Sequence, residues 1–280
     1  MALWSGLLRD RNFRAHLDQP GWAADRLMLL VGAIGVGCEM VASIIHTPAG
    51  KFWAYLALLL STGLFLWAKE GLAGRGGEVI WRMFQIGLIA GLLEILVDWA
   101  LIDWITHGRL FYKSTPVWGG TKDISDVVLL GSPIWMPMAW ACLITVLGYF
   151  ALRLYKLWLP KFGETKTMLL VSFLIAIQAG ISVGLNEWLA ADANWWMYGP
   201  ACQMFPPASW NVTRCPTCIP LGEAFQFFLL LPVAAKAFSR DKTKPIEGAL
   251  LGGSLFAVVI ALGYSLAYLL LEFGRPLPPA

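Results

Sequence analysis

VIWRMFQIGLIAGLLEILVDWALIDWI, residues 79–105, is predominantly apolar over more than 18 residues, yet it carries Glu94, Asp98 and Asp103. Runs of that length match the ~30 Å hydrocarbon core of a bilayer and are read as membrane-spanning helices. Glu94 and Asp98 are four residues apart, so a helix presents both carboxyls on one face. The stretch therefore predicts a transmembrane helix with acids inside the membrane.

The rest of the chain has the same character. Only 14% of its 280 residues are charged, where a soluble domain has about a quarter. Apolar runs bounded by charge, Pro or Gly predict seven spans, at 26–46, 52–68, 79–105, 133–157, 167–190, 219–238 and 247–272. The second is short and the third is interrupted by acids, so six or eight stay open. The expected fold is all-α: a polytopic transmembrane helical bundle of about seven spans. It forms one domain over 26–272, after an interfacial or cytosolic segment 1–25 and before a tail 273–280. Residues 1–25 hold Arg9, Arg11 and Arg14 without a continuous apolar core, so they are not read as a cleavable signal peptide. Pro20-Gly21 breaks them from the first span.

Charge placement orients the bundle. With seven spans, one side receives the N-terminus and the links after the second, fourth and sixth spans. That side holds fifteen of the 21 Lys and Arg; the other holds Lys51, Arg109, Lys113, Lys122, Arg214 and Arg275. The basic side is expected to be cytoplasmic, leaving the C-terminus and two long loops, 106–132 and 191–218, on the opposite side. Both loops are rich in Trp, Tyr, Pro and Gly and poor in charge. Disordered segments are not this aromatic, so the loops are expected to cap the outer mouth. No basic–aromatic interleaving points to nucleic acid.

Five acids fall inside expected spans: Glu39, Glu94, Asp98, Glu187 and Glu223. A rise of 1.5 Å per residue puts Glu39 ~20 Å and Glu94 ~22 Å above the basic side. Asp98 lies one turn further, Glu187 near the outer end of the fifth span, and Glu223 ~6 Å into the descending sixth. All five lie in the outer half of the bilayer. An isolated ionised carboxylate there is costly, so some are expected to hold a proton or to be tied into hydrogen bonds. A carboxyl protonated at neutral pH is what a general acid requires. The structural reading of the same acids is that they bond to Trp, Tyr, Ser or Asn and hold the bundle together. Proton or cation transport uses the same residue type.

The third and fourth spans look like a weak parallel repeat of the fifth and sixth. Gly91-Leu-Leu-Glu94 echoes Gly184-Leu-Asn-Glu187, each followed by an acid (Asp98, Asp192), an aromatic loop and a Pro-bearing helix start. In this alignment Trp140 stands where Glu223 stands. Pro220-Leu-Gly-Glu223-Ala-Phe225-Gln-Phe227-Phe228 resembles the Pro-x-Glu-Glu-x-x-Phe-Phe signature of the membrane-integral, heterodimer-type lycopene cyclases. Gly222 replaces the first Glu, and the Phe pair is one residue late. In the first unit Glu94, Gly108, Phe111, Tyr112, Pro133, Pro137 and Trp140 are similar to the pattern of the related carotenoid hydratases. The resemblance covers two short patches and implies a multi-span, repeat-built enzyme of polyene chemistry.

A second stretch, Asn186-Glu-Trp188 with Trp195-Trp196-Met-Tyr198 and Phe205-Pro206, is similar to part of the membrane subunit of copper monooxygenases for methane and ammonia. His46 and His107 could serve as ligands with Asp98 or Asp103; two lone His at interfaces are read as ordinary polar residues, and neither a metal nor another cofactor is assigned. Cys38 and Cys142 are small core residues. Cys202 is expected to pair with Cys215 or Cys218 if their loop is outside. Gly32, Gly35 and Gly37 in the first span, and Gly252, Gly253 and Gly263 in the last, are expected to permit close helix packing. The last span has no Lys for a retinal Schiff base.

The expected function is an integral membrane enzyme acting on an apolar isoprenoid or lipid by carboxyl-mediated alkene protonation, cyclisation or hydration. Glu94 or Glu223 would donate the proton; Asp98 or Glu187 would orient it or accept one later, with Glu39 a fifth candidate. Trp99, Trp140, Trp195 and Phe227 would stabilise a carbocation, ~2 kcal/mol or more each when desolvated. Tyr112, Trp196 and Tyr198 would complete the substrate lining. As core and belt aromatics, these residues have an equally good structural role. The partner implied is the membrane-dissolved substrate, and a homo- or hetero-oligomer stays open. The alternatives are a proton-coupled transporter and a non-catalytic lipid- or pigment-binding subunit.

Overall fold

The computed structural model describes residues 8–45, 51–101, 112–114, 128–130, 132–192, 196–198, 204–205, 215–240 and 244–272. Helices dominate it: α1 (Arg11–Leu17), α2 (Trp22–Ile45), α3 (Lys51–Gly71), α4 (Gly77–Trp99), α5 (Met136–Phe162), α6 (Glu164–Asp192), α7 (Cys218–Phe228), α8 (Leu230–Phe238) and α9 (Pro245–Glu272). Six helices, with α7 and α8 taken as one, are long and apolar enough to cross a membrane; the bent pair α1 and α2 makes a seventh. The chain is thus a polytopic helical bundle, with a helix in each of the seven expected windows. Its outward faces are apolar, as a lipid solvent requires: Leu29, Leu59, Phe173, Leu262 and Leu270 are all exposed.

One expected span has an irregular turn. α7 and α8 are separated at Leu229, whose φ −94° and ψ 0° fall outside regular helix. Pro232 lacks the N–H that would bond the Phe228 carbonyl four residues earlier, so one rung of the helical ladder is missing; it resumes with Val233 N–H to Leu229 O at 3.1 Å, and Cys218–Phe238 forms one span. The Leu229 N–H turns instead to Gln226 O at 3.0 Å. Pro137 and Pro220 mark helix starts, as the sequence suggests. Both prolines sit in the first turn of a helix, where a missing N–H is harmless.

The basic end is held together by the N-terminal segment. The Asp10 carboxylate caps α1 by accepting from the Asn12 and Phe13 N–H groups at 2.8 and 3.1 Å, and α1 buries Phe13, His16 and Leu17. His16 packs edge-on against Phe238 at 4.9 Å, and Asn12 Nδ2 donates to Ser239 O at 3.1 Å. Arg9 and Arg14 reach Glu164 at the α5–α6 turn, at 2.9 and 2.5 Å. Gly21 N–H donates to Arg75 O in the α3–α4 turn at 3.4 Å. Within the expected N-terminal segment 1–25, α1 packs onto the end of the bundle, and α2 begins at Trp22, just past Pro20-Gly21. α2 leaves α1 at 76°. At its base Arg153 makes two bonds to Asp25, at 2.7 and 2.6 Å, and Tyr149 donates to the same carboxylate at 2.7 Å.

The repeat is structural. In the first unit Gly87 lies against Ala141, and Gly91 against Pro137; in the second Gly180 lies against Ala224, and Gly184 against Pro220. These four contacts superpose under the alignment that equates Gly91 with Gly184 and Trp140 with Glu223. Among the described residues, each unit also carries three short strands between its helices. β1 (Tyr112–Ser114), β2 (Val128–Leu129) and β3 (Ser132–Pro133) belong to the first unit. β4 (Trp196–Tyr198), β5 (Met204–Phe205) and β6 (Cys215–Pro216) belong to the second. β2 pairs with β3 as β5 pairs with β6. β1 and β4 pair with each other, antiparallel, so the two long loops meet at one end of the bundle.

The glycine expectation is half corrected. Gly252, Gly253 and Gly263 of α9 do sit against Ala237, Ile89 and Gln226. Gly32, Gly35 and Gly37 of α2 have nothing within 4 Å of a Cβ position, because that part of α2 faces outward.

Candidate functional site

Glycine spacing on α4 creates the site. Gly87, Gly91, Glu94 and Asp98 form one buried stripe, while Leu92 and Leu96 are exposed on the opposite side. A Cβ on Gly91 would lie 2.7 Å from Pro137 Cα, so only glycine lets α5 approach closely enough to seal the stripe. Glu94 and Asp98 are then 2% and 7% exposed. From α7, Glu223 joins them at 3% exposure.

The carboxyls are tied to one another. Glu94 is in side-chain hydrogen-bond contact with Asp98 and with Trp140, and Glu223 lies within its electrostatic reach. A carboxylate has no hydrogen to donate, so two such carboxyls can bond to each other only when one of them holds a proton. Trp140 can act only through its indole N–H. Ser132 Oγ, wholly buried on β3, is 3.5 Å from Glu94 Oε2, at the outer limit of a hydrogen bond. Glu223 Oε1 accepts from the phenol of Tyr264 on α9. Glu223 Oε2 is buried without a hydrogen-bond partner among the described residues. Asp98 and Glu187 both act on Glu223 electrostatically. The repeat places these partners in matching positions: Glu94 with Trp140 in the first unit, Glu187 with Glu223 in the second.

Among the described residues, the groups acting on Glu94 and Glu223 are acids, Trp140 and Tyr264, with no Lys or Arg among them. Placing an ionised Asp at a bilayer centre costs about 2.5–3.5 kcal/mol even on insertion scales. Collecting several without a cation is retained only where protons are shared or the group has work to do.

Aromatic side chains floor the cluster on its basic-end side. Trp140 stacks on Phe227 with ring centres 6.2 Å apart and planes 6° apart. Phe256 meets Phe227 edge-on at 5.5 Å and Trp140 at 6.4 Å. Phe227 and Phe256 are wholly buried. A cleft of about 180 Å³ runs between α4 and α9, lined by Leu96, Val97, Ala100, Leu101, Ala261 and Ser265, with none of the carboxyls in its lining. Leu96 at its rim is half exposed and Leu101 is buried. Leu101 lies on the Asp98 side of α4, and Ser265 follows Tyr264.

Four of the five expected catalytic acids, Glu94, Asp98, Glu187 and Glu223, therefore converge. Glu39 is on α2, its side chain outside the described residues, and its neighbours Val36, Met40 and Val41 are exposed. Trp140 and Phe227 flank the acids, and Trp99 is half-buried at the end of α4. Tyr112, Trp196 and Tyr198 are placed only as members of β1 and β4; their side chains, Trp195, His46, His107, Asp103 and Cys202 lie outside the described residues. The Cys215 side chain lies outside them too, so the expected disulfide stays an expectation. Among the described residues no group of three His, Cys, Asp or Glu side chains is placed to hold a metal. Tyr264 and Phe256 were missed, because both come from the last span and no local motif marks them.

Comparison with known proteins adds one assignment. Residues 95–271 match a family model described as a domain of unknown function, DUF6989. The chain belongs to this family. The match begins in the last turns of α4 and takes in the rest of the first repeat unit, the second unit and α9 to Leu271, and so holds Asp98, Trp140, Glu187, Glu223 and Tyr264; Gly87, Gly91 and Glu94 stand before it. No curated protein and no solved structure matches the chain.

Proposed function

We propose that this protein is a membrane-integral enzyme that protonates an alkene of an apolar isoprenoid or similar lipid, leading to cyclisation or hydration. The observation that carries the reading is the group of buried carboxyls, Glu94, Asp98 and Glu223: Glu94 is in hydrogen-bond contact with Asp98 and Trp140, and Glu223 accepts from Tyr264, with no cation acting on either among the described residues. Glu94 or Glu223 donates the proton. Asp98 or Glu187 accepts one when the carbocation collapses. Trp140 and Phe227 supply the π faces that stabilise the cation. The cleft between α4 and α9 supports lateral access from the lipid, and the partial lycopene-cyclase-like motif around Glu223 supports polyene chemistry. The excess of Lys and Arg at the end held by α1 supports a cytoplasmic position for that end, with the two paired loops opposite.

The test is expression in cells that accumulate linear carotenoids or prenyl chains, followed by profiling of extracted lipids. A new cyclised or hydrated product is expected, and Glu94→Gln and Glu223→Gln are expected to abolish it while leaving folded protein. No new product across such substrates would count against the enzyme.

The irregular turn at Leu229 within the span α7–α8 favours a second reading, a proton-coupled carrier, because irregular backbone beside membrane-embedded acids is how such carriers bind their cargo. Leu229 is six residues from Glu223. Acidification of proteoliposomes driven by an added solute, lost in Glu223→Gln, would select that reading.

A further inference from the structure

Glu223 is held by one oxygen only. Its Oε1 accepts the Tyr264 hydroxyl hydrogen, while Oε2 is buried and unpartnered among the described residues. The two helices that carry this pair are in backbone contact at the same level. A Cβ on Gly263 would lie 2.9 Å from Gly222 O, and one on Gly222 would lie 2.5 Å from Tyr264 Cδ1 and 3.2 Å from Tyr264 Cα. Gly222 and Gly263 thus form a reciprocal gap through which the tyrosine ring reaches the carboxyl. The lycopene-cyclase-like motif departs from its pattern at Gly222, and the structure accounts for that departure. The space a side chain at 222 would need is filled by the ring of Tyr264.

We infer that Tyr264 is the positioning residue of Glu223, fixing its carboxyl so that Oε2 is the atom that delivers the proton. The inference rests on the proposed alkene protonation. In that step the Oε2–H bond breaks and its electron pair stays on the carboxylate. The alkene π pair forms the new C–H bond, and the positive charge is left on the neighbouring carbon. The carboxylate that results keeps its hydrogen bond from Tyr264 on Oε1. A fixed donor oxygen matters because small misplacements of a reacting atom cost on the order of 100-fold in rate.

Infrared spectroscopy of the purified full-length protein in lipid nanodiscs tests this without substrate. A carboxylic-acid C=O band present in the wild type and missing in Glu223→Gln identifies protonated Glu223. In Tyr264→Phe, which keeps the ring that packs on Gly222, that band is expected to move to higher frequency as Oε1 loses its donor. Site-specific incorporation of 3,5-difluorotyrosine at position 264 alone, a stronger donor than tyrosine, is expected to move it to lower frequency. A band unmoved by both changes, or no acid band assignable to Glu223, would overturn the inference. Where turnover is measurable, Tyr264→Phe should lower kcat by on the order of 100-fold with KM unchanged. Band shifts without any turnover would retain the Tyr264–Glu223 bond and reject the reaction; turnover with unmoved bands would do the opposite.

Discussion

Lys113 stands opposite Met197 at the centre of the strand pair that joins the two long loops. The register around them is self-complementary. Tyr112 faces Tyr198 and Ser114 faces Trp196, and taking β4 as the counterpart of β1 equates Tyr112 with Trp196 and Ser114 with Tyr198. Such a pairing is what two-fold symmetry produces, where residue i meets j and j meets i. Two units inserted in the same direction, related by an axis along the bundle, explain why equivalent loops meet at one end.

A cross-link reports this axis. Opposed residues in an antiparallel pair have Cα atoms about 4.5–5.5 Å apart, inside the range a disulfide spans. Lys113→Cys with Met197→Cys, with the native cysteines replaced by Ser, is expected to form a disulfide under mild oxidation. Lys113→Cys with a cysteine introduced at Ala257 of α9 is expected to give none. Gel mobility after cleavage between the units checks both.

Packing of α4 on α5 depends on glycine, and that of α2 does not. Gly91→Ala would place a methyl carbon 2.7 Å from Pro137 Cα. The expected loss is about 1–3 kcal/mol, the usual range for overpacking. Gly35→Ala meets nothing within 4 Å and should change stability by less than about 0.5 kcal/mol. Thermal unfolding in one detergent compares them directly.

At the basic end Asp25 anchors α2 to α5 through Arg153 and Tyr149. The ion pair is only partly exposed, at 18% and 19% of the two side chains, so solvent screens it less than a surface pair. Asp25→Asn is expected to lose about 1.5–3 kcal/mol, the range for hydrogen bonds to charged groups, and Tyr149→Phe about 1 kcal/mol. Unfolding transitions of the two variants and of their combination measure the sharing. A combined loss smaller than the sum would show that both act through the Asp25 carboxylate.

The seven helices were legible because a bilayer imposes a long apolar run on every span, and such runs do not depend on neighbours. Gly91-x-x-Glu94 and Gly184-x-x-Glu187 were legible as a repeat because one contact, glycine against a proline-bearing helix start, constrains both segments. What stayed hidden depends on tertiary proximity. Tyr264 reaches Glu223 across 41 positions of sequence, and an isolated tyrosine in an apolar run carries no local signal. The packing of α1 was hidden for the same reason: Arg9 and Arg14 read as surface charge until Glu164 stands beside them. Gly32, Gly35 and Gly37 misled because a glycine pattern states what a helix face permits, not whether a neighbour occupies it. The break at Leu229 was legible in Pro232, but the apolar run through it read as continuous.

Deuterium incorporation tests the carboxyl chemistry most directly. Membranes containing the protein, supplied with a linear prenyl or polyene lipid in D2O, should yield a product with one non-exchangeable C–D bond for each alkene protonated. Glu94→Gln and Glu223→Gln should yield neither product nor deuterium. A product without deuterium, or one labelled equally in both variants, would contradict protonation by the buried carboxyls.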